Sequence, residues 1–314
     1  MSFRELLQPL QIAVLFGGRS GEREVSLASA RTVIDTLREG GYAPREIDTG
    51  EAQWWLHLDG IDLAFNIQHG SGGEDGVTQG LLRTLGVVGT GSGVLGSALA
   101  MDKLRSKQLW QALDLPTADF RLIDAHTDAA ALLARWGAAF IKPVSEGSSL
   151  GMARAASVEA FAAAWAAAAR HDARVLAERE IDGPEYTVAI LGDRTLPPIR
   201  IEAAHEFYDY EAKYHVDTTR YHIPCGLDAA EDAVLCDLAL RAFRALDCSV
   251  WGRVDVMRDS GGQFQLLEVN TVPGMTDHSL VPMAAAAAGL TLLELLEEIM
   301  GRSWQAARST GDSD

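Results

Sequence analysis

The chain has 314 residues and is strongly acidic, with a formal net charge of -17 and an isoelectric point near 4.8. Nucleic acids and anionic membranes are bound through clustered lysine and arginine, so this charge argues against both as partners. The sequence shows no signal-peptide profile and no apolar run near the roughly 20 residues that cross a bilayer. Cys225, Cys236 and Cys248 contain no Cys-x-x-Cys pair, which favours reduced thiols and a cytoplasmic location over a zinc site or a disulfide framework.

Strand and helix patterns alternate over the first hundred residues. Short apolar runs that end in glycine are typical of buried parallel strands, and amphipathic runs that end in glycine are typical of helices. The predicted elements are a strand at Ile12–Phe16, a helix ending at Gly40, a strand at Asp62–Ile67 and a helix at Val77–Leu85. This alternation predicts an open parallel α/β domain over residues 1–101.

The pattern changes at Asp102, and two further domains are predicted. Residues 102–184 form a small α+β domain whose predicted elements are helices at Leu104–Leu113, Ala129–Trp136 and Val158–Arg170 and strands at Ala139–Lys142 and Val175–Glu178. Residues 185–314 form a domain with a mixed or antiparallel sheet. Its predicted elements are a hairpin of Tyr186–Leu191 with Leu196–Ile201, a helix at Ala230–Leu246, strands at Trp251–Met257 and Phe264–Asn270, and a final helix at Thr291–Met300 before a disordered polar tail from Ser309.

The last predicted hairpin carries the strongest local signal for chemistry. Side chains alternate along a strand, so Arg253 and Asp255 share one face, and Glu268 shares a face with Asn270 on the partner strand. Two carboxylates and a carboxamide are oxygen ligands of the kind that Mg²⁺ prefers, with phosphates and water in the remaining positions. A salt-bridged polar sheet face would contain the same residues, and the pattern alone leaves both interpretations open.

The loop Ser145–Gly151 is rich in small residues and follows a strand that carries Lys142. Backbone N–H groups of such a loop can converge on an anion beside the lysine, although the loop lacks the Walker ending. Its Gly-x-Ser-x-Gly pattern also matches a hydrolase elbow with Ser149 as nucleophile. An elbow requires a helix directly after the turn, whereas Ser157 is the natural N-cap of the next helix. The anion-binding interpretation is therefore favoured.

Three other loops contain clustered glycines. Gly91–Gly96 matches the dinucleotide pattern Gly-x-Gly-x-x-Gly, but only Val87 and Val88 precede it as a strand, so a turn of packing glycines is predicted. The loops Gly17–Glu24 and His69–Gly76 follow the predicted N-terminal strands. Open α/β sheets bind ligands at this end of their strands, so both loops are candidates for a binding site.

Taken in order, these segments closely resemble the D-alanine–D-alanine ligase family of the ATP-grasp superfamily. The resemblance extends from Ile12 to about Leu296 and depends on seven strings in register: Gly21–Leu27, His69–Gly76, Met101–Ser106, Glu146–Gly151, Phe207–Tyr214, Trp251–Val256 and Asn270–Pro282. It implies the ATP-grasp fold and a ligase that joins two D-alanine molecules for peptidoglycan precursor synthesis. ATP as co-substrate, an acyl-phosphate intermediate, two Mg²⁺ (or Mn²⁺) ions and a homodimer are implied by the same resemblance.

The resemblance also implies roles for individual residues. The expected ATP contacts are Lys103, Lys142 and Lys213 at the phosphates, the segment from Glu178 to Ile181 at the adenine, and Glu185 at the ribose. The expected metal ligands are Asp255, Glu268 and Asn270. The expected groups around the two amino acids are Glu22 with Ser148, Tyr214 and His69 at the first, Arg253 and the Gly274 amide at the oxyanion, and Ser279 with Leu280 at the second carboxylate.

Small departures from the family pattern and some alternatives remain. Val272 replaces a commoner small polar residue, and Asp277 precedes His278 near the second subsite. A D-alanine–D-lactate ligase is the alternative within the superfamily, although Tyr214 favours the dipeptide. A serine hydrolase that uses Ser149 with His278, and a nucleotide-binding protein without activity, are the alternatives from other classes.

Overall fold

The computed structural model describes residues 2–147, 150–202 and 219–311, and within these ranges the chain forms three β-sheets surrounded by helices. The helices are α1 (Phe3–Leu7), α2 (Arg23–Glu39), α3 (Val77–Thr84), α4 (Val94–Met101), α5 (Lys103–Ala112), α6 (Ala129–Trp136), α7 (Val158–Ala168), α8 (Ala229–Ala245), α9 (Leu280–Ala287) and α10 (Leu292–Gly311), with a 3₁₀ turn at Trp54–Leu58. The strands are β1 (Ile12–Phe16), β2 (Arg45–Asp48), β3 (Leu63–Asn66), β4 (Val88–Gly89), β5 (Phe120–Ile123), β6 (Ala139–Pro143), β7 (Ala153–Ala155), β8 (Val175–Arg179), β9 (Glu185–Leu191), β10 (Arg194–Thr195), β11 (Ile199–Glu202), β12 (Arg220–His222), β13 (Trp251–Arg258) and β14 (Phe264–Asn270).

The first sheet is parallel, in the order β2-β1-β3-β4. Its two central strands are buried along nearly their whole length, as parallel strands covered on both faces must be. The predicted open parallel α/β layer is therefore confirmed. The edge strand β2 was not predicted, because Arg45 and Glu46 are exposed and give this strand no apolar pattern.

The second sheet in chain order is antiparallel, β5-β8-β6-β7, and is covered by α6 and α7. Its small core contains Ile141, Phe161 and Val175 together with alanines of the predicted Ala-rich helix. The small α+β architecture predicted for this part of the chain agrees with this arrangement. The domain boundaries after residues 101 and 184 stay predictions.

The third sheet is antiparallel, in the order β12-β11-β9-β13-β14, with β10 also paired to β9. A single return strand at Leu196–Ile201 was predicted, and this is wrong because the chain returns as two separate strands. The chain pairs with β9 first through β10 and then again through β11. Pro197 and Pro198 lie between the two pieces and cannot donate ladder hydrogen bonds. One face of this sheet shares a core with the first sheet, in which Trp251 packs on Phe65.

The final helix extends well beyond its prediction. Thr291–Met300 was predicted, and the structure has a helix from Leu292 to Gly311, so the disordered tail expected from Ser309 is wrong as far as residue 311. Ser303 and Trp304 are buried and extend the apolar face by another turn. No single helix in the described ranges is both long and apolar enough to span a membrane, although α9 and α10, bent by 104° at their junction, meet the length and composition criteria together.

Glycines of the Gly91–Gly96 segment allow close packing, as predicted. A Cβ on Gly96 in α4 would lie 2.4 Å from the backbone oxygen of Asp247. A Cβ on Gly91 would lie 2.9 Å from the indole nitrogen of Trp251, and the φ of Gly91 is +89°. The strand before the segment, β4, has only two residues. The segment therefore packs α4 against the chain between α8 and β13.

We expect Gly96→Ala to lower the free energy of unfolding by about 1–3 kcal/mol, because the new methyl group would force two backbone segments apart. This loss exceeds the gain in helix propensity, which is about 1 kcal/mol. Gly93→Ala is the matched control, since no atom lies within 4 Å of a Cβ there. Urea denaturation of both variants measures the difference. Equal stabilities would show that α4 does not pack closely.

Candidate active site

A cavity of about 320 Å³ lies where the three sheet regions meet. Nine of the predicted site residues line it: Glu22, His69, Lys103, Arg253, Glu268, Asn270, Gly274, Ser279 and Leu280. Five others are in the structure but not in its lining: Lys142, Glu178, Ile181, Glu185 and Asp255. Ser148, Lys213 and Tyr214, and the elbow residue Ser149, lie outside the described residues. The cavity thus collects residues that are up to 258 positions apart in the chain, from Glu22 to Leu280.

The polar face of β13 and β14 forms one wall. Arg253 lies opposite Asn270, and Asp255 lies opposite Glu268. Directly opposed residues place their Cβ atoms about 5 Å apart, so these side chains can act on one ligand. The predicted juxtaposition of two carboxylates, a carboxamide and a guanidinium is therefore present.

Cations hold both carboxylates of this wall. Arg253 donates two hydrogen bonds of 2.8 Å to the Asp255 carboxylate, from Nε and from Nη2. Lys103 Nζ lies 3.1 Å from Glu268 Oε2. Burial opposes the charge of the lysine, yet Glu268 and the more distant Glu22 and Glu74 leave the pKa of Lys103 above its ordinary value. The wall is thus balanced in charge by the chain itself.

The donor set fits a magnesium ion that arrives with a nucleotide. Among the described residues, no three His, Cys, Asp or Glu side chains form a group able to hold a metal by themselves. Mg²⁺ commonly takes only one or two carboxylates and completes its shell with substrate phosphates and water. Asp255, Glu268 and the amide oxygen of Asn270 supply this partial set, and the last now accepts the Val272 N–H at 2.9 Å.

Thr187 supports this wall and was not predicted. It lies on β9 opposite Asp255, and its hydroxyl donates to Asp255 Oδ1 at 2.6 Å. Both residues are almost fully buried. In the sequence, Thr187 is marked only by its hydroxyl directly before the apolar run Val188–Leu191, and this does not identify Asp255 as its partner.

A second charged cluster lies on the central sheet beside the cavity. The carboxylate of Glu178 on β8 contacts Lys142 Nζ at 2.5 Å and Lys107 Nζ at 2.7 Å. Burial would raise the pKa of Glu178, but the two ammonium groups outweigh it and hold that pKa below its usual range. Ile181 is buried and Glu185 is half-buried where the chain passes from β8 to β9. Lys107 was not predicted as a site residue.

The glycine-rich loop is fixed at its base. Lys103 Nζ donates to the Glu146 carbonyl oxygen at 2.6 Å, and the Ser145 N–H donates to Asp172 at 3.0 Å. After the loop comes strand β7, and the next helix, α7, begins only at Val158, after its N-cap Ser157, whose hydroxyl accepts the Ala160 N–H. The described residues after the loop therefore lack the helix that a hydrolase elbow needs directly after its serine.

The remaining wall comes from the N-terminal sheet and the start of α9. His69 is buried, with Nδ1 3.4 Å from Glu74 and Nε2 3.3 Å from Ser29. Ser279 Oγ accepts the Thr276 N–H at 2.9 Å and would lie 2.9 Å from a Cβ on Gly274. A Cβ at Gly274 would therefore displace the Ser279 hydroxyl from this hydrogen bond.

These sheets and this cavity define an enzyme of the ATP-grasp class. A solved structure of a D-alanine–D-alanine ligase from Bacillus anthracis complexed with ATP superposes with a TM-score of 0.84 at 31% identity, covering 96% of this chain and 100% of that chain. A second structure of the Bacillus anthracis ligase gives a TM-score of 0.85 at 33% identity, with the same coverage. The predicted fold class is confirmed.

Sequence comparison identifies the family within this class. The models described as D-ala D-ala ligase N-terminus and C-terminus match residues 11–60 and 109–301. The D-alanine–D-alanine ligase of Ectopseudomonas mendocina is 52% identical over 311 residues, which is 98% of this chain and 99% of the relative. The ligase of the same name from Alkalilimnicola ehrlichii is 53% identical over 291 residues, 92% of this chain and 93% of the relative. The chain belongs to the D-alanine–D-alanine ligase family.

We expect Thr187→Val to lower the free energy of unfolding by about 1.5–3 kcal/mol, the usual contribution of a hydrogen bond to a charged group. Valine keeps the shape and the strand preference of threonine, and Asp255 keeps Arg253, so the fold should persist. Thr84→Val is the control, because Thr84 is exposed and its hydroxyl donates to the Gly80 carbonyl oxygen within α3. Chemical denaturation compares the two, and equal losses would contradict a special role for Thr187.

Proposed function

We propose that the chain is an ATP-dependent ligase that joins two D-alanine molecules to D-alanyl-D-alanine and releases ADP and phosphate, for peptidoglycan precursor synthesis. The observation that carries this proposal is the cavity, where Glu22, Lys103, Arg253 and Glu268 from distant parts of the chain face one space. Its two amino-acid substrates and its nucleotide are all charged, and the cavity offers both signs of charge. No observation favours a D-lactate ligase or a serine hydrolase.

ATP is bound between the central and the third sheet. Lys103, Lys142 and Lys213 hold the phosphates, the segment from Glu178 to Ile181 contacts the adenine, and Glu185 binds the ribose hydroxyls. Asp255, Glu268 and Asn270 hold two Mg²⁺ or Mn²⁺ ions, which when bound neutralise phosphate charge. Lys103 and Arg253 already lie beside the carboxylates, so they can turn to the substrates as these carboxylates take up the ions.

The first step joins a carboxylate to a phosphoryl group. Glu22 binds the ammonium of the first D-alanine, with Ser148 and Tyr214 linked to it and His69 close by. The carboxylate oxygen attacks the γ-phosphorus of ATP, the bond to the β-phosphate oxygen breaks, and ADP leaves. Lysine charges reduce the repulsion between carboxylate and phosphate.

The second step forms the peptide bond. Ser279 and Leu280 hold the carboxylate of the second D-alanine, whose free amine attacks the acyl carbon. Arg253 and the Gly274 amide stabilise the oxyanion that develops there. Phosphate then leaves with the acyl bond electrons, and the amine loses a proton. The surroundings must exclude water, because an acyl phosphate hydrolyses readily.

Three further features belong to the proposal. The chain is divided into domains at residues 101 and 184, so that the central sheet can move as a unit over the nucleotide. It assembles as a homodimer, and it works in the cytoplasm, where its three cysteines stay reduced. Each cysteine is a free thiol in the described structure, and burial raises the pKa of Cys248 to about 12, which makes it unreactive.

We expect ADP and phosphate release that requires D-alanine and Mg²⁺ or Mn²⁺ and is absent with L-alanine. Coupled detection of ADP and of D-alanyl-D-alanine measures the reaction, with excess EDTA as the metal control. Activity that persists in EDTA would contradict the metal assignment. ADP release without dipeptide would contradict the ligase assignment.

We expect Arg253→Ala to lower kcat by on the order of 10²-fold or more, the typical effect of losing an oxyanion donor. Arg253→Lys should recover little, because a point charge cannot replace the planar fork. Steady-state kinetics and thermal melts on both variants are the measurements. Arg258→Ala is a control on the same strand, since its partner is Glu231, outside the cavity lining.

A purely structural Arg253 would give a different pattern. Arg253→Ala would then melt at a clearly lower temperature, because Asp255 would remain buried without its guanidinium. Its kcat would be near normal in excess Mg²⁺. This outcome would contradict the proposed role.

A further inference from the structure

The chain contains four lysines against 23 arginines. Three of the lysines, Lys103, Lys142 and Lys213, have places in the proposed nucleotide site. The fourth is Lys107. In the described ranges, the ion pairs at the surface use arginine or histidine, whereas lysines occur only in the pairs at or beside the cavity. Lysine therefore occurs where a compact ammonium is needed, and the proposed nucleotide contacts do not explain the presence of Lys107.

The ammonium of Lys107 is enclosed and fully hydrogen-bonded. Its side chain is completely buried. Nζ donates to Glu178 Oε1 at 2.7 Å, to Thr117 Oγ1 at 2.7 Å and to the Leu266 carbonyl oxygen at 3.2 Å. An ammonium has three N–H donors, so the three acceptors use all of them. A guanidinium is larger and planar and would not fit this arrangement.

The two lysines at Glu178 differ in what they can reach. Lys107 takes Oε1 and has no donor left, whereas Lys142 contacts Oε2 and keeps about 10% of its side chain exposed. Two ammonium groups share one carboxylate, which leaves a net positive charge in a buried place. If Lys107 were absent, the carboxylate would neutralise Lys142 completely.

We propose that Lys107 is a positioning residue for ATP: by occupying one oxygen of Glu178, it keeps the charge of Lys142 available to a nucleotide phosphate. This inference rests on the proposed function, because it takes Lys142 as a phosphate contact. Lys107 itself touches neither substrate nor nucleotide in this proposal. It acts only through Glu178.

The charges around Lys107 support this arrangement. Burial and, to a smaller extent, Lys142 on β6 lower the pKa of Lys107, while Glu178 on β8 and Glu268 on β14 raise it, and together these effects lower the pKa to about 8. At neutral pH the ammonium therefore keeps its proton. Above about pH 8 the ammonium of Lys107 loses its proton, and Lys142 is then the only cation that pairs with Glu178. The affinity for ATP should accordingly weaken between pH 7 and pH 9.

Lys107→Met removes the charge and the donors while keeping the length of the side chain. The fold should persist, because Glu178 keeps Lys142 and the Leu266 carbonyl keeps the Thr117 hydroxyl at 2.8 Å. We expect KM for ATP to rise about tenfold or more, and kcat and KM for D-alanine to stay within about twofold. Arg105→Met is the matched control on the same helix, because its guanidinium is exposed and, within the described part of the chain, donates to Gln108.

The decisive variant combines Lys107→Met with Glu178→Gln. Because Glu178 also belongs to the segment proposed at the adenine, the double variant is compared with Glu178→Gln alone. With the carboxylate neutral, Lys142 keeps its charge with or without Lys107, so the two variants should have the same KM for ATP. A higher KM for ATP in the double variant than in Glu178→Gln alone would show that Lys107 does not act through Glu178 and would overturn the inference. Between pH 7 and pH 9, KM for ATP should rise in the wild type and stay flat in Lys107→Met.

Each remaining outcome is decisive as well. If wild-type protein forms no ADP with D-alanine, the proposed function fails, and the inference fails with it. If the wild type is active and Lys107→Met has an unchanged KM for ATP, only the inference fails. If Lys107→Met does not fold, the comparison is made in the Glu178→Gln background, where loss of Lys107 should not change KM for ATP and a rise would overturn the inference.

Discussion

Buried carboxylates that must not be left unpaired are the constraint on which this structure depends. Asp255 and Glu178 are both at most 5% exposed. Asp255 is paired with Arg253 on its own strand, and Glu178 is paired with Lys107 and Lys142 from distant parts of the chain. Taking a charge out of water costs several kcal/mol, and removing its partner commonly destabilises a fold by about 3–5 kcal/mol. The register of β9, β13 and β14 and the seating of α5 on the central sheet are therefore tied to the same ion pairs that form the site.

The same pairs explain how an acidic protein can bind a polyanion. Without ligands, the cations beside the cavity are occupied by carboxylates, so the site is stable and nearly balanced. In the proposed function, a nucleotide with bound divalent ions supplies each side chain with a new partner: the carboxylates would bind the metal, and Lys103 and Arg253 would bind phosphate or the developing oxyanion. Binding then exchanges one set of ion pairs for another and leaves no buried charge alone. The net charge of -17 has little influence on nucleotide binding, because the cations that lie beside the cavity determine the local electrostatic potential.

The sequence predicted the parts of the fold that have a local pattern. The alternation in Trp251–Met257 and the apolar run Ile12–Phe16 gave strands with correct bounds to within one residue. The polar edge strands β2 and β12 and the short β7 have no such pattern and were missed. Nine of the predicted site residues line the cavity, whereas Thr187 and Lys107 were not predicted. Their partners lie 68 and 71 positions away, so only the folded chain reveals them.

The exchange of ion pairs can be measured directly by titrating the protein with Mn²⁺ and following free Mn²⁺ by electron paramagnetic resonance, with and without ADP. Because Arg253 and Lys103 occupy the carboxylates in the unliganded chain, Mn²⁺ alone should bind weakly, and a saturating nucleotide should tighten its binding at least tenfold beyond binding to ADP in solution. Equally tight, stoichiometric binding of Mn²⁺ without nucleotide would show that the carboxylates form a ready metal site. That result would contradict the exchange.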